Sequence, residues 1–254
     1  MSQDVTASFT VRLADNAQDL RAAQRLRYEV FVAELGGCGP LVDHANRLER
    51  DRHDAFCDHL LLQETISGDV VGVYRLMRTE CAERAGGFYS AAEYDLNALT
   101  GSGRRLLELG RSCLHPDYRG GVAMHHLWAG LAKYVAKHRI EVLFGVASFH
   151  GTDIESLAQP LSLLHHRHLA PPELRVRANG KSFQSMDLVD ELHLNRKAAI
   201  MQMPSLIKAY LRLGGFVGEG AYVDHVFNTV DVCLIMDTDR LSTRQARIYG
   251  GSAA

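Results

Sequence analysis

Apolar and polar positions alternate over Phe9, Val11 and Leu13, which predicts a first strand. The period then changes. Asn16 stands where a helix N-cap belongs, and Leu20, Ala23, Leu26, Val30 and Phe31 recur at helical spacing until Gly36-Gly37 closes the run. Residues 38–55 are charge-dense and aperiodic, which predicts a long loop or a short helix over the site. Residues 56–64 and 70–77 read as strands joined by a Ser67-Gly68-Asp69 turn, an antiparallel hairpin, and 89–96 as a short helix.

The stretch 106–139 organises the rest. Leu106, Leu107, Leu109, Cys113 and Leu114 form a core strand that Glu108 and Arg111 interrupt with charge, which burial penalises unless it is paired or used. His115-Pro116-Asp117 stops that strand, Arg119-Gly120-Gly121 loosens the backbone, and Val122, His126, Leu127, Gly130, Leu131, Tyr134 and Val135 follow at helical spacing. A strand, a glycine turn and a helix N-terminus suit an anion such as a pyrophosphate or a phosphopantetheine phosphate, the alternative being an ordinary tight turn. Beyond it the pattern predicts a strand at 142–147 and a helix from Thr152 or Asp153 to about His168, ended by Ala170-Pro171-Pro172. A strand near 183–189, a helix near 198–213 and strands at 217–223 and 229–236 complete the chain. This order implies a mixed α/β single domain over 1–254, with its core at about 8–170 and a C-terminal part, 171–254, that completes the sheet. The hairpin argues against a Rossmann fold.

With 254 residues, 46% of them apolar, the chain can build a substantial core. A formal charge of −2 gives no reason to expect nucleic acid as a partner. Five scattered cysteines without a CxxC pair argue for a reducing compartment and against a structural zinc. No secretory signal and no run of transmembrane length is visible, so a cytoplasmic protein is expected. Residues 204–216 are amphipathic and basic enough for peripheral contact at the inner face of a membrane, the alternative being a core-packed helix. His125-His126 and His165-His166-x-His168 are dense, but neighbours on a helix diverge, and no metal is expected. Arg104, Arg105, Lys133, Lys137, Arg139 and Arg167 are candidates for docking an acidic partner.

Several groups of residues carry a family resemblance. Glu108-Leu109-x-Arg111 before a glycine turn resembles the GCN5-related N-acyltransferase (GNAT) fold, here with a C-terminal extension. Arg27-x-x-Val30-Phe31, Glu49-x-Asp51-x-x-Asp54 and Gly72-x-x-Arg75-Leu76, followed by that strand, are similar in order and spacing to the motifs of acyl-homoserine-lactone synthases. Gly36-Gly37 stand where those synthases carry a tryptophan, and the single tryptophan, Trp128, is in a later helix. The C-terminal part, with LIKAYLRL at 206–213, Gly214 and Phe227-Asn228-Thr229-Val230-Asp231, resembles the hemolysin-like ornithine N-acyltransferases.

The resemblance implies transfer of a 3-hydroxyacyl chain from acyl carrier protein, with acyl-CoA as the alternative donor, to the α-amine of ornithine, the first step of ornithine-lipid synthesis. No separate cofactor is implied. Other readings are an N-acyl amino acid synthase with an acceptor such as glycine, a lactone synthase, or a non-catalytic acyl- or carrier-binding module. Glu108 and Arg111 are the catalytic candidates, Glu108 as general base or as the partner of Arg111 in a buried pair. Arg27, Phe31, Asp51, Asp54 and Arg75 are the substrate-binding candidates, with Asp51 and Asp54 serving either an ammonium of the acceptor or an ion pair to Arg27. Arg119, Gly120, Gly121, Val122 and Ala123 would bind the donor's phosphate and pantetheine.

Overall fold

The computed structural model describes residues 8–241; the two ends of the domain expected over 1–254, and the first residues of the stretch searched for a signal, lie outside the described residues. In chain order the elements are β1 (Phe9–Leu13), α1 (Ala17–Arg27), β2 (Asp58–Glu64), β3 (Val70–Arg78), α2 (Thr79–Ala85) and β4 (Tyr94–Asp95). Next come α3 (Asn97–Thr100), β5 (Leu106–Leu114), α4 (Ala123–His138), β6 (Val142–His150) and α5 (Ala158–His168). The last are β7 (Arg177–Ala178), β8 (Phe183–Gln184), α6 (Arg196–Gln202), α7 (Ser205–Arg212), β9 (Phe216–Val217), β10 (Ala221–Asp224) and β11 (Thr229–Asp237). This is a mixed α/β fold. Its described residues divide into two compact units, one of 8–77 with Leu109–His138 and one of Arg78–Glu108 with 139–241, so strand β5 contributes to both.

In the first unit β1 pairs antiparallel with β2 from Phe9↔Glu64 to Leu13↔Leu60, and β2 pairs with β3 as the expected hairpin. Successive side chains of β2 point to opposite faces, and each face meets a helix. Leu61 and Val73 are core neighbours of Ala23, Leu26 and Val30, on α1 and its continuation. On the other face α4 presents Gly130, where an added Cβ would lie 2.2 Å from Val11 Cγ1 and 3.6 Å from Leu60 Cδ2. Only glycine permits that approach. Asn16 caps α1 as its position predicts, its side-chain oxygen accepting from the backbone N–H groups of Gln18 and Asp19. The helical run continues to Glu34 with wider π-type turns and ends at Gly36, φ 73°.

In the second unit Leu106–Glu108 of β5 run parallel to Val142–Phe144 of β6, and β6 pairs antiparallel with β11 over nine residues, Thr229↔His150 to Asp237↔Val142. The other edge of β11 receives β10 at Thr229–Asp231 and β9 at Leu234–Ile235. One strand was expected there; it is broken at Gly218–Gly220, where Gly220 has φ 75° and the Phe183 ring fills the place of its missing Cβ.

Four other expectations are corrected. The helix after β6 begins at Ala158 rather than at 152 or 153, which puts Pro160 in the first turn, where no backbone N–H is required. The helix expected near 198–213 is two helices, α6 and α7, separated at Met203-Pro204. The strand expected near 183–189 stops at Gln184, because the Leu188 and Val189 amides donate to the buried Ser162 hydroxyl at 3.0 and 2.9 Å. Residues 89–96 form a 3₁₀ turn, Tyr89–Ala92, followed by β4, which pairs with β7. No helix among the described residues is long and apolar enough to cross a membrane, and the amphipathic α7 buries Ile207 and Tyr210.

Candidate active site

Two charged regions carry most of the residues singled out above. The first, in the first unit, gathers three arginines and three carboxylates. Arg27 is fully buried on α1; its Nε donates to Glu49 at 2.5 Å and its Nη1 to Asp54 at 2.8 Å. Arg75, on β3, donates to Asp51 and, at 3.1 Å, to Asp54. Arg111 donates to Glu49 at 3.1 Å and to Asp51 at 3.2 Å. The loop at 38–55 thus supplies the acids, and α1, β3 and β5 the bases. Gln24, one helical turn before Arg27, adds a bond to Asp54 at 2.9 Å, and the His59 ring donates to the Asp54 carbonyl at 3.1 Å.

Burial alone would raise the Asp51 carboxyl; the His53 hydrogen bond and the charges of Arg75 and Arg111 outweigh it and hold the group well below the usual carboxylate range. Asp54 is lowered in the same sense, burial being offset first by Arg27 and then by Arg75. Arg111 has φ 49°, the left-handed region that a non-glycine residue seldom takes within a strand. Its two ion pairs hold it there, the over-determination that such a backbone needs. Phe31 packs against the apolar cluster of Leu26, Val30, Leu61 and Val73 beside these charges.

The second region is in the second unit. Glu108 is 4% exposed, and its carboxylate accepts the backbone N–H of Tyr89 at 2.8 Å and of Ser90 at 2.6 Å. Each oxygen takes one donor and keeps further acceptor capacity. On the same unit Glu93, Asp224 and Asp231 bring one carboxylate oxygen each to within 4.8 Å of one another. A second group able to hold a metal ion is His165, His166 and Asp187, where the His166 ring already donates to the Val189 carbonyl at 3.0 Å.

At the glycine turn Gly120 has φ 76°, and open space surrounds the Cβ position of both Gly120 and Gly121. Val122 is exposed and Ala123 buried as α4 begins. Arg119 is held on both sides, by Glu34 at 2.6 and 2.7 Å and by the Leu114 carbonyl at 3.1 Å. Among the basic candidates, Arg104 chelates Asp237 at 2.6 and 3.0 Å and Arg167 pairs with Glu191.

A family model described as acetyltransferase (GNAT) domain matches residues 26–129. The L-ornithine N(alpha)-acyltransferase of Rhodobacter capsulatus is 60% identical over 247 residues, 95% of this chain and 95% of that one. The chain belongs to the L-ornithine N(alpha)-acyltransferase family. A member from Brucella abortus is 44% identical over 97% of this chain and 90% of its own. Among solved structures the AHL synthase LasI superposes with a TM-score of 0.53 at 17% identity, covering 97% of this chain and 96% of that one, which establishes the shared fold. The resemblance to the ornithine N-acyltransferases is therefore borne out, and the chain is an acyltransferase of GNAT type.

For this family member, Arg27, Asp51, Asp54, Arg75 and Arg111, the candidates that the resemblance implied, come together, with Glu49 as a full participant. Gln24 was missed, although a polar residue on the buried stripe of an amphipathic helix, three positions before Arg27, is a usable signal. The Tyr89 and Ser90 amides carry no sequence signal.

Proposed function

We propose that this family member moves an acyl group from a phosphopantetheine thioester to the α-amine of ornithine, with Glu108 as general base. The observation that carries the reading is 60% identity to an L-ornithine N(alpha)-acyltransferase over 95% of both chains. Glu108 takes a proton from the α-ammonium, the free amine attacks the thioester carbonyl and forms the C–N bond, and collapse of the tetrahedral adduct breaks the C–S bond as the nitrogen gives up its second proton, which balances the one the departing thiolate takes. The thiolate leaves and is protonated. Two backbone amides hold the Glu108 carboxylate in place, which supports a group positioned for such a transfer.

In the first unit the arginine–carboxylate cage acts by positioning: it fixes Arg111 and the backbone of β5 that follows Glu108. The open turn at Gly120-Gly121 receives the phosphate of the pantetheine arm. Arg119 is taken up by Glu34 and Leu114, which favours a donor held by that arm over one held by a nucleotide, and so acyl carrier protein over CoA.

The test is mass spectrometry of purified protein with 3-hydroxypalmitoyl-carrier protein, or the CoA ester, and equimolar ornithine, lysine, glycine and S-adenosylmethionine. N-acylornithine formed mainly from the carrier-protein donor is the expected product. A dominant product from another acceptor would overturn the acceptor assignment, and faster reaction with the CoA ester would overturn the donor assignment.

A further inference from the structure

The second unit carries an acidic cluster that the transfer step leaves unused. Directly opposed residues of neighbouring strands, and residues two apart on one strand, share a sheet face. Tyr222 opposes Asp231 and Asp224 opposes Thr229, so Asp224, Thr229 and Asp231 lie on one face. Cys233 opposes Val146 and Glu108 opposes Phe144, which places Glu108 on that face as well. Glu93 arrives from the 3₁₀ turn Tyr89–Ala92, whose Tyr89 and Ser90 amides hold Glu108. One short turn therefore connects the base to the cluster.

A second observation points to a ligand. The Thr229 hydroxyl, on a residue 7% exposed, is buried on this face without a hydrogen-bond partner, directly across from Asp224 and two residues from Asp231. Asp224 uses Oδ1 for the Val226 and Phe227 amides at 2.7 and 3.0 Å and keeps Oδ2 available. The local field is negative. The Cys233 thiol is pushed up by burial and then by Glu108 and Glu93, and the Tyr94 hydroxyl by burial and then by Cys233, Glu93 and Asp231.

We propose that Glu93, Asp224 and Asp231, with the Thr229 hydroxyl, receive the side-chain ammonium of a diamino acid acceptor and thereby direct acylation to its α-nitrogen. An ammonium offers three donors, one for each carboxylate. Three acceptors set tetrahedrally around one nitrogen at about 2.8 Å sit about 4.6 Å apart, a span this cluster accommodates. Held there as a cation, the distal nitrogen has no lone pair with which to attack, and only the α-amine meets Glu108. A 3₁₀ turn rises about 6 Å over three residues, comparable to the five bonds between the two nitrogens of ornithine. This subsite rests on the acyltransferase reading above.

The experiment compares ornithine with norvaline, which has the same carbon chain without the distal amine, using wild type, Asp224→Asn and Asp231→Asn. Wild type is expected to favour ornithine by about 100-fold or more in kcat/KM. The variants should shrink that preference by roughly 30-fold and release some product acylated on the distal nitrogen. Asp224 is partly exposed, so its variant and the wild-type comparison decide the matter even if Asp231→Asn fails to fold. Equal use of norvaline by wild type, or an unchanged preference in the variants, overturns the proposal, as does a preference lost on chelation and restored by magnesium or calcium. If ornithine is not acylated but another diamino acid is favoured over its monoamine analogue, the ornithine reading fails and the subsite stands.

Discussion

The two charged regions are similarly buried and differently composed. In the first unit three guanidiniums meet three carboxylates and add a glutamine and two histidines, so that nearly every charge has a named protein partner. In the second unit four acidic residues, Glu93, Glu108, Asp224 and Asp231, share a face with an unsatisfied threonine hydroxyl. A balanced network specifies a conformation; an acidic face recognises a cation. Of the acidic region, the sequence singles out only Glu108 as a site candidate.

The contrast predicts that substitutions in the two regions fail in different ways. The largest effect is expected in the acidic region, where Glu108→Gln should lower acyl transfer by about 10²–10⁴-fold, far more than the lost hydrogen bond to one backbone amide lowers the thermal midpoint, measured by product formation and calorimetry on the same sample. In the cage, Arg27→Ala leaves two buried carboxylates short of a partner and should cost about 3–5 kcal/mol in denaturant unfolding. Gly130→Ala, which drives a methyl group into Val11, should cost about 1–3 kcal/mol in the same measurement.

The smallest expected effect is a pH dependence. Asp51 and Asp54 are depressed in the folded state, so they contribute stability that is complete well above the unfolded carboxylate value of about 3.9 and lost as pH falls below it. Asp51→Asn should flatten the acid side of a stability-against-pH curve. An unchanged acid limb would mean that the cage charges do not govern acid unfolding.

Much of the frame was legible in the sequence because local rules and tertiary packing agree there. The Asn16 cap, the hairpin around Gly68, the charged strand β5 and the amphipathic α4 all follow from period and punctuation. Where the structure departs, the deciding interaction lies far along the chain or in the backbone. Ser162 takes the amides of a would-be strand, the Phe183 ring stands at Gly220, and Arg111 is held at positive φ by acids some sixty positions earlier. Pro160 and Pro204, which lie at two of the displaced helix boundaries, are readable in the sequence. The members of the cage were singled out by the family resemblance and one of its ion pairs, Arg27 to Asp54, was among the alternatives, whereas the acidic face depends on the register of β10 on β11, which a sequence pattern does not fix.

The most direct measurement is a paired one on Glu108→Gln: kcat/KM for ornithine with the carrier-protein donor, and the thermal midpoint of the same preparation. The account predicts lost turnover with a midpoint lowered by only several degrees, since glutamine keeps the side chain's shape and accepts from one of the Tyr89 and Ser90 amides while its NH2 faces the other, a cost of about 1–3 kcal/mol. Full turnover at an unchanged midpoint, or a midpoint that falls enough to account for the lost rate, would contradict it and make Glu108 a structural clasp for that turn.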